Sequence, residues 1–315
     1  MNPQTHLIRF TTAIGAGYGL LACLAMFAIG GVVPENRWFG VVGFGLAFGA
    51  IAIAVYSGIS HLGRPDRVWL VFSQWRSAWL SRLAIVAAGG CVMAALFAFG
   101  WIVMEDYSGD WRLFAMATAV LSVFTVYASG MIFATVRPVL AWSTTMTVPN
   151  FLALGLWMGM LWLNFISHLF GVASPQIGMV LVIAGFLAFY IKRRYWRGFD
   201  KFWAPSTPET ATGLQAYKKV RLLIPPNTGR NFVQREMVRS ITWAEIRSAR
   251  RTTFICAYAI PLPLAMLTME SGPWLATTCA FLAAISVIKG VLSERWLLFA
   301  EAKHSAALYY GTVEV

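Results

Sequence analysis

Eight apolar runs leave this chain few ways to fold, because each approaches the ~20 residues that a helix needs to cross roughly 30 Å of hydrocarbon. They are predicted at 10–33, 38–59, 83–104, 113–135, 149–171, 174–191, 252–271 and 274–293. The fold class they dictate is all-α: a polytopic membrane protein with eight transmembrane helices, read as one domain over 1–315. At 58% hydrophobic and 12% charged residues, the chain is too apolar for a soluble domain of its 315-residue length. The short alternating segments of a transmembrane barrel are absent. The first run is too long for the apolar core of a cleavable signal peptide, so it reads as the first span.

Charge sets the expected orientation. With eight spans, the N-terminus, the second, fourth and sixth loops and the C-terminus share one side, which holds 22 of the 25 Lys and Arg residues. Only Arg37 and Arg112 lie opposite, and Lys289 can snorkel from the last span. By the positive-inside rule both termini are expected in the cytoplasm. The same bias accounts for the net charge of +12 without nucleic acid as a partner. The one sizeable extramembrane piece is a basic cytoplasmic loop at 192–251, which opens with KRRYWRGFDKFW and suits lipid headgroups or a docking partner. Three GxxxG pairs, Gly15–Gly19, Gly45–Gly49 and Gly155–Gly159, mark places where two helices could approach closely in lipid.

Polar chemistry is concentrated at one membrane boundary, in YSGISHLGRPDRVWLVFSQWRSAWLSR from Tyr56 to Arg82. A neutral imidazole titrates near physiological pH, so His61 can exchange the protons that reduction of a quinone to a quinol takes up. Arg64, Asp66, Arg67 and Arg76 add charge and hydrogen-bond donors beside it. Trp69, Trp75 and Trp79 either belong to an interfacial aromatic belt or pack against a planar quinone head; four apart, Trp75 and Trp79 would share a helix face. The pattern SG-x5-RP-x3-W at Ser57–Trp69 is echoed by SG-x6-RP-x3-W at Ser129–Trp142, so Arg137 could approach the same pocket. The cysteines, Cys23, Cys91, Cys256 and Cys279, have no iron–sulfur or haem-attachment spacing, and neither haem nor metal is expected in this chain. Acidic residues in mid-span are also expected to be missing, with Glu105, Asp106 and Glu270 at helix ends, which weakens an ion-coupled transporter reading.

Four motifs then carry a resemblance: HLGRPDRVW, FSQWRSAWLSR, IFATVRPVLAW at Ile132–Trp142, and ERWLLFAEAKHSAALYYG at Glu294–Gly311. In this order, over most of the chain, they resemble the membrane-anchor subunits of the dimethyl sulfoxide reductase family. The resemblance implies an eight-helix anchor without a metal centre, holding an iron–sulfur electron-transfer subunit and a molybdopterin catalytic subunit, and exchanging electrons with ubiquinone or menaquinone. It implies a quinone site at His61, to which Arg64, Asp66, Arg67, Trp75, Arg76, Trp79 and Arg137 would contribute. Family members commonly carry an acid after WLSR, where this chain has Leu83, leaving Asp66 as the nearest carboxylate. Cytoplasmic partner subunits on a bacterial inner membrane make the chain most similar to the branch that serves quinone-reducing sulfite dehydrogenases. A quinol-oxidising anchor and a partner-independent anion transporter are the alternatives.

Overall fold

A computed structural model of the chain describes residues 5–60, 62–202, 207–214, 216, 220, 222–224, 226–229 and 241–310, without the side chains of 199–202. Eight helices in it are long and apolar enough to cross a membrane. They are α1 (Thr5–Ile29), α2 (Arg37–Ile59), α3 (Trp79–Val103), α4 (Trp111–Ala134), α5 (Thr147–Leu169), α6 (Pro175–Phe202), α7 (Trp243–Glu270) and α8 (Pro273–Ala300). No strand forms among the described residues. The expected all-α, eight-span architecture is the one observed.

Several helices outrun their apolar stretches. The sixth continues to Phe202 and the seventh starts at Trp243, so much of the expected 192–251 loop is helical at its two ends. A capping box at Thr242 and Glu245 sets the start of α7: Glu245 Oε2 accepts the Thr242 N–H at 2.9 Å, and the Thr242 hydroxyl accepts the Glu245 N–H at 3.4 Å. Between the two helices, a single helical turn at Pro208–Thr212 is capped by Thr207 and closed by Gly213 in the left-handed region, at φ 71°. α8 likewise runs to Ala300 rather than stopping near 293.

The first helix is the hub. It packs against α2, α4 and α5, and 78% of its apolar window is buried, which no other span approaches except α5 at 67%. Two of the three GxxxG pairs explain this. Gly15 and Gly19 of α1 cross Gly155 and Gly159 of α5, and β-carbons on Gly19 or Gly159 would overlap the opposing backbone. The third pair, Gly45–Gly49 on α2, faces open space, so the expected close contact there is not made.

The seventh span is irregular for a traceable reason. Pro261 has no N–H to give and clashes with the carbonyl a turn before it. The helix answers with a π-turn over Ile255–Ala259, where the Ile260 N–H bonds to Ile255 O at 2.9 Å. The carbonyls this orphans are taken by side chains of neighbouring helices. Ser286 Oγ donates to Cys256 O and Trp157 Nε1 to Ala257 O, both at 2.9 Å. Gly290 of α8 lets the two backbones meet at this point.

Candidate functional site

Both ends of the described chain lie at the same end of the bundle, where Ile8 of α1 shares an apolar cluster with Leu298 and Phe299 of α8. Two unusual features occur there. One is the segment between α2 and α3. The other is a set of ionised side chains sealed inside the helices.

The α2–α3 segment contains a single 3₁₀ stretch, Pro65–Phe72, with no buried residue. Trp69, Leu70, Phe72 and Trp75 are all exposed, Trp69 at 66%. So many large apolar side chains on one surface segment mark a face made for lipid or a partner. Its polar residues are equally open. Arg67 lies 3.9 Å from Asp66 with both side chains largely in solvent, a pairing of little energetic weight. The Arg76 guanidinium sits 5.2 Å above the Trp75 ring.

The segment is fixed at its far end by Arg82, whose role the sequence did not reveal. From the first turn of α3, Arg82 donates Nε to Trp75 O at 2.9 Å and Nη2 to Arg76 O at 2.7 Å. It also lies 4.5 Å over the Trp79 ring, which meets Tyr127 edge-on at 6.0 Å. Trp75 therefore sits in the turn before α3, not one helical turn below Trp79, and the shared helix face expected for the pair is not formed. At the near end, Ser60 Oγ and His6 Nδ1 are 3.2 Å apart. His61 itself lies outside the described residues.

The structure gathers Arg64, Asp66, Arg67, Trp75, Arg76 and Trp79 on this one segment and its junction with α3. Arg137 is exposed in the turn after α4. Its turn is clamped to the C-terminal segment, with Val139 bridged to His304 and the Ser305 N–H bonded to Pro138 O at 3.1 Å. No hydrogen bond or ion pair links the Arg137 side chain to the α2–α3 segment among the described residues. The echoed motif thus has two outcomes: Trp142 is buried, donating Nε1 to Leu298 O at 2.5 Å, whereas its counterpart Trp69 is exposed. Leu83, where an acid was the family expectation, is buried in the main core.

The sealed ion cluster corrects the expectation that the spans lack acidic residues. Glu294 lies inside α8, and its carboxylate is shared by two cations. Lys192 of α6 donates to Oε1 at 2.6 Å, and Arg295 Nη1 lies 3.2 Å from Oε2. Asn150 of α5 adds a bond to Oε1 at 2.8 Å. The side chains of Lys192, Glu294 and Arg295 are at most 2% exposed. Aromatic faces line the cluster: Arg295 stacks on Phe151 at 3.5 Å, and Lys192 points at Tyr195 and Trp196 at 4.4 and 4.9 Å. Beside it Arg250 of α7 pairs with Glu301. Hydropathy reads ER at 294–295 as a helix end because it counts charges, and nothing in local sequence pairs them with Lys192 a hundred residues earlier.

Comparison with known proteins places this architecture. No protein-family model matches the chain. The sulfite dehydrogenase C subunit of Allochromatium vinosum is 30% identical over an alignment 332 positions long, gaps included, which covers 99% of this chain and 100% of that protein. An identity of that size over essentially the full length of both proteins assigns the family, and the chain belongs to that of the sulfite dehydrogenase C subunits.

Proposed function

We propose that the chain is the membrane anchor and quinone-binding subunit of a sulfite-oxidising complex, delivering electrons from a cytoplasmic iron–sulfur subunit to the quinone pool. The observation that carries this reading is the full-length match to a sulfite dehydrogenase subunit. A subunit implies others, and the family resemblance supplies their chemistry, an iron–sulfur protein and a molybdopterin catalytic protein. Oxidation of sulfite with water to sulfate releases two electrons and two protons, and reduction of a quinone to a quinol consumes two of each.

The α2–α3 segment suits the quinone end of that reaction. A quinone head is planar, apolar on its faces and an acceptor at its two carbonyls. The open rings of Trp69 and Trp75 offer the faces, and the Arg64, Arg67 and Arg76 guanidiniums offer donors, all at a membrane boundary. Arg82 holds the segment's backbone in shape, and His61, next to the His6-bonded Ser60, would exchange protons. Arg137, exposed on the fourth loop, would be a further guanidinium donor for this site. The charge bias supports a cytoplasmic site on an inner-membrane anchor, and the partner subunits would dock on that side.

The test is purification of a tagged chain from its native host in mild detergent, followed by identification of co-purifying subunits and assay of sulfite-dependent reduction of a soluble quinone analogue. Molybdenum and iron–sulfur partners, with quinone reduction abolished by His61→Ala and artificial-acceptor reduction retained, are expected. A chain that purifies alone, without redox partners, would sink the anchor and favour an anion transporter. A complex that oxidises quinol instead would reverse the electron flow.

A further inference from the structure

His6 stands in the first turn of α1, exposed, at the boundary where α2 ends and the α2–α3 segment begins. The two helices are held together there. A β-carbon on Gly58 would lie 3.2 Å from the Phe10 ring, and one on Gly17 would press on the Ala47 carbonyl at 2.9 Å, so α2 lies directly against α1 from Ala47 to Gly58. His6 then meets Ser60, the residue that closes α2, with Nδ1 3.2 Å from the hydroxyl oxygen.

One hydroxyl proton decides how the ring is arranged. Ser60 Oγ also lies 3.1 Å from the Ser57 carbonyl, which can only accept. The last carbonyls of a helix have no intrahelical N–H partner, so the Ser60 proton goes to Ser57 O. Having no second proton to give, the hydroxyl accepts from His6. In the neutral ring Nδ1 therefore carries the hydrogen, and Nε2 carries the lone pair. Nε2 lies on the edge of the ring turned away from Ser60, on an exposed side chain. A hydrogen bond at one nitrogen thus sets the tautomer and leaves the chemistry to the other.

The other histidines are placed differently. His168 ends α5 at the opposite end of the bundle, and His304 accepts the Ala306 N–H in the C-terminal segment. The other charged or titratable side chains on the two helix ends beside His6 are Arg9 of α1 and Tyr56 of α2, both exposed. His6 is thus in contact with bulk solvent on one side and with the root of the α2–α3 segment on the other.

We propose that His6 is a second proton donor of the quinone site, acting through Nε2. This rests on the reading of the chain as a quinone-reducing subunit, which supplies both the substrate and the demand for protons. Each quinone takes up two electrons, delivered from sulfite oxidation in the partner subunits, and two protons, and a single imidazole holds only one to give. His6 supplies the proton that His61 does not. The Nε2–H bond of the imidazolium breaks as an O–H bond forms on the quinone oxygen, the ring is left as the Nδ1–H tautomer on Ser60, and Nε2 regains a proton from bulk solvent.

Asparagine keeps the bond without the chemistry, since its amide N–H can replace Nδ1–H on Ser60 but does not give up a proton. In the intact complex His6→Asn should slow quinone reduction by about a hundredfold, the lower end for a lost general acid. Reduction of an artificial acceptor should be unchanged. His6→Ala should lose as much and recover in part when imidazole is added to the medium, a rescue that a packing role would not allow. A His6→Asn complex with the wild-type rate, or a His6→Ala complex that imidazole leaves slow, overturns the proposal while the anchor reading stands. A wild-type complex that oxidises sulfite with artificial acceptors but never reduces quinone removes the anchor reading, and the role of His6 with it. Independently of activity, solid-state nitrogen NMR of the full histidine-labelled chain in lipid bilayers, with the His6 signal assigned by its loss in His6→Asn, should show the neutral ring protonated at Nδ1. Ser60→Ala should weaken that preference, and a wild-type His6 protonated at Nε2 would refute the proposal.

Discussion

Gly19 of α1 and Gly155 of α5 meet backbone to backbone, so closely that a β-carbon on Gly19 would overlap the Gly155 carbonyl. A flexible side chain could yield to such an intrusion, but a helix backbone cannot without moving the helix. Gly159→Val, directed at the Gly19 backbone, should therefore destabilise the protein by at least ~3 kcal/mol, the upper range for overpacking. Gly45→Val on the open face of α2 should leave the thermal midpoint in detergent unchanged. Equal midpoints for the two variants would refute the crossing.

Arg82 supplies a second prediction. Its bonds to Trp75 O and Arg76 O make it the clamp of an otherwise unburied segment. Arg82→Ala should expose residues 62–78 to faster limited proteolysis and lower quinone-coupled turnover about tenfold, while artificial-acceptor activity and global stability hold. Lysine cannot reproduce the two-pronged geometry, so Arg82→Lys should behave like alanine.

The π-turn gives a coupled pair. Trp157→Phe strands the buried Ala257 carbonyl, at a cost of about 1–3 kcal/mol. Pro261→Ala restores an N–H that can serve the same carbonyl. In a double-mutant cycle the Trp157→Phe penalty should shrink when Pro261 is already alanine, and strict additivity would count against this account.

His304 predicts a pH dependence. Burial pushes its imidazole pKa down, and its Nδ1 accepts the Ala306 N–H at 3.0 Å, a bond that protonation at Nδ1 would abolish. The folded chain thus binds this proton less readily than the unfolded chain. The stability it contributes is fully present above the ordinary value of about 6.5 and is lost as pH falls below it. Hydrogen exchange of residues 302–310 should accelerate on acidification through that window. His304→Asn, which keeps an acceptor but cannot take the proton, should flatten the response.

Much of this architecture was legible in the sequence because apolar length is a local property. The eight spans follow from it, whereas the GxxxG spacing offered three pairs and did not tell the two that cross from Gly45–Gly49, which faces open space. The extent of α8 was not legible, since Glu294 and Arg295 look like a helix end until Lys192 and Asn150 are brought to them. The crowding of arginine and tryptophan at residues 64–82 was visible, but the division of labour within it was not. Arg82 holds backbone carbonyls, a role set by the turn at 73–78 rather than by residue type. Trp142 followed a repeated letter pattern into a different setting, because the end of α8 and the C-terminal segment cover it and none of the described residues buries its counterpart Trp69.

The enclosure of α1 also constrains how the protein is made. Residues near Gly19 are synthesised long before Gly155, yet the groove that receives them is a feature of α5. A newly inserted α1 must wait beside α2 with its glycine face against lipid or an insertion factor until the fifth helix arrives. The bundle therefore closes around its earliest helix rather than growing outward from it, and truncated nascent chains ending before Thr147 should leave α1 open to lipid-phase crosslinkers that the finished protein excludes.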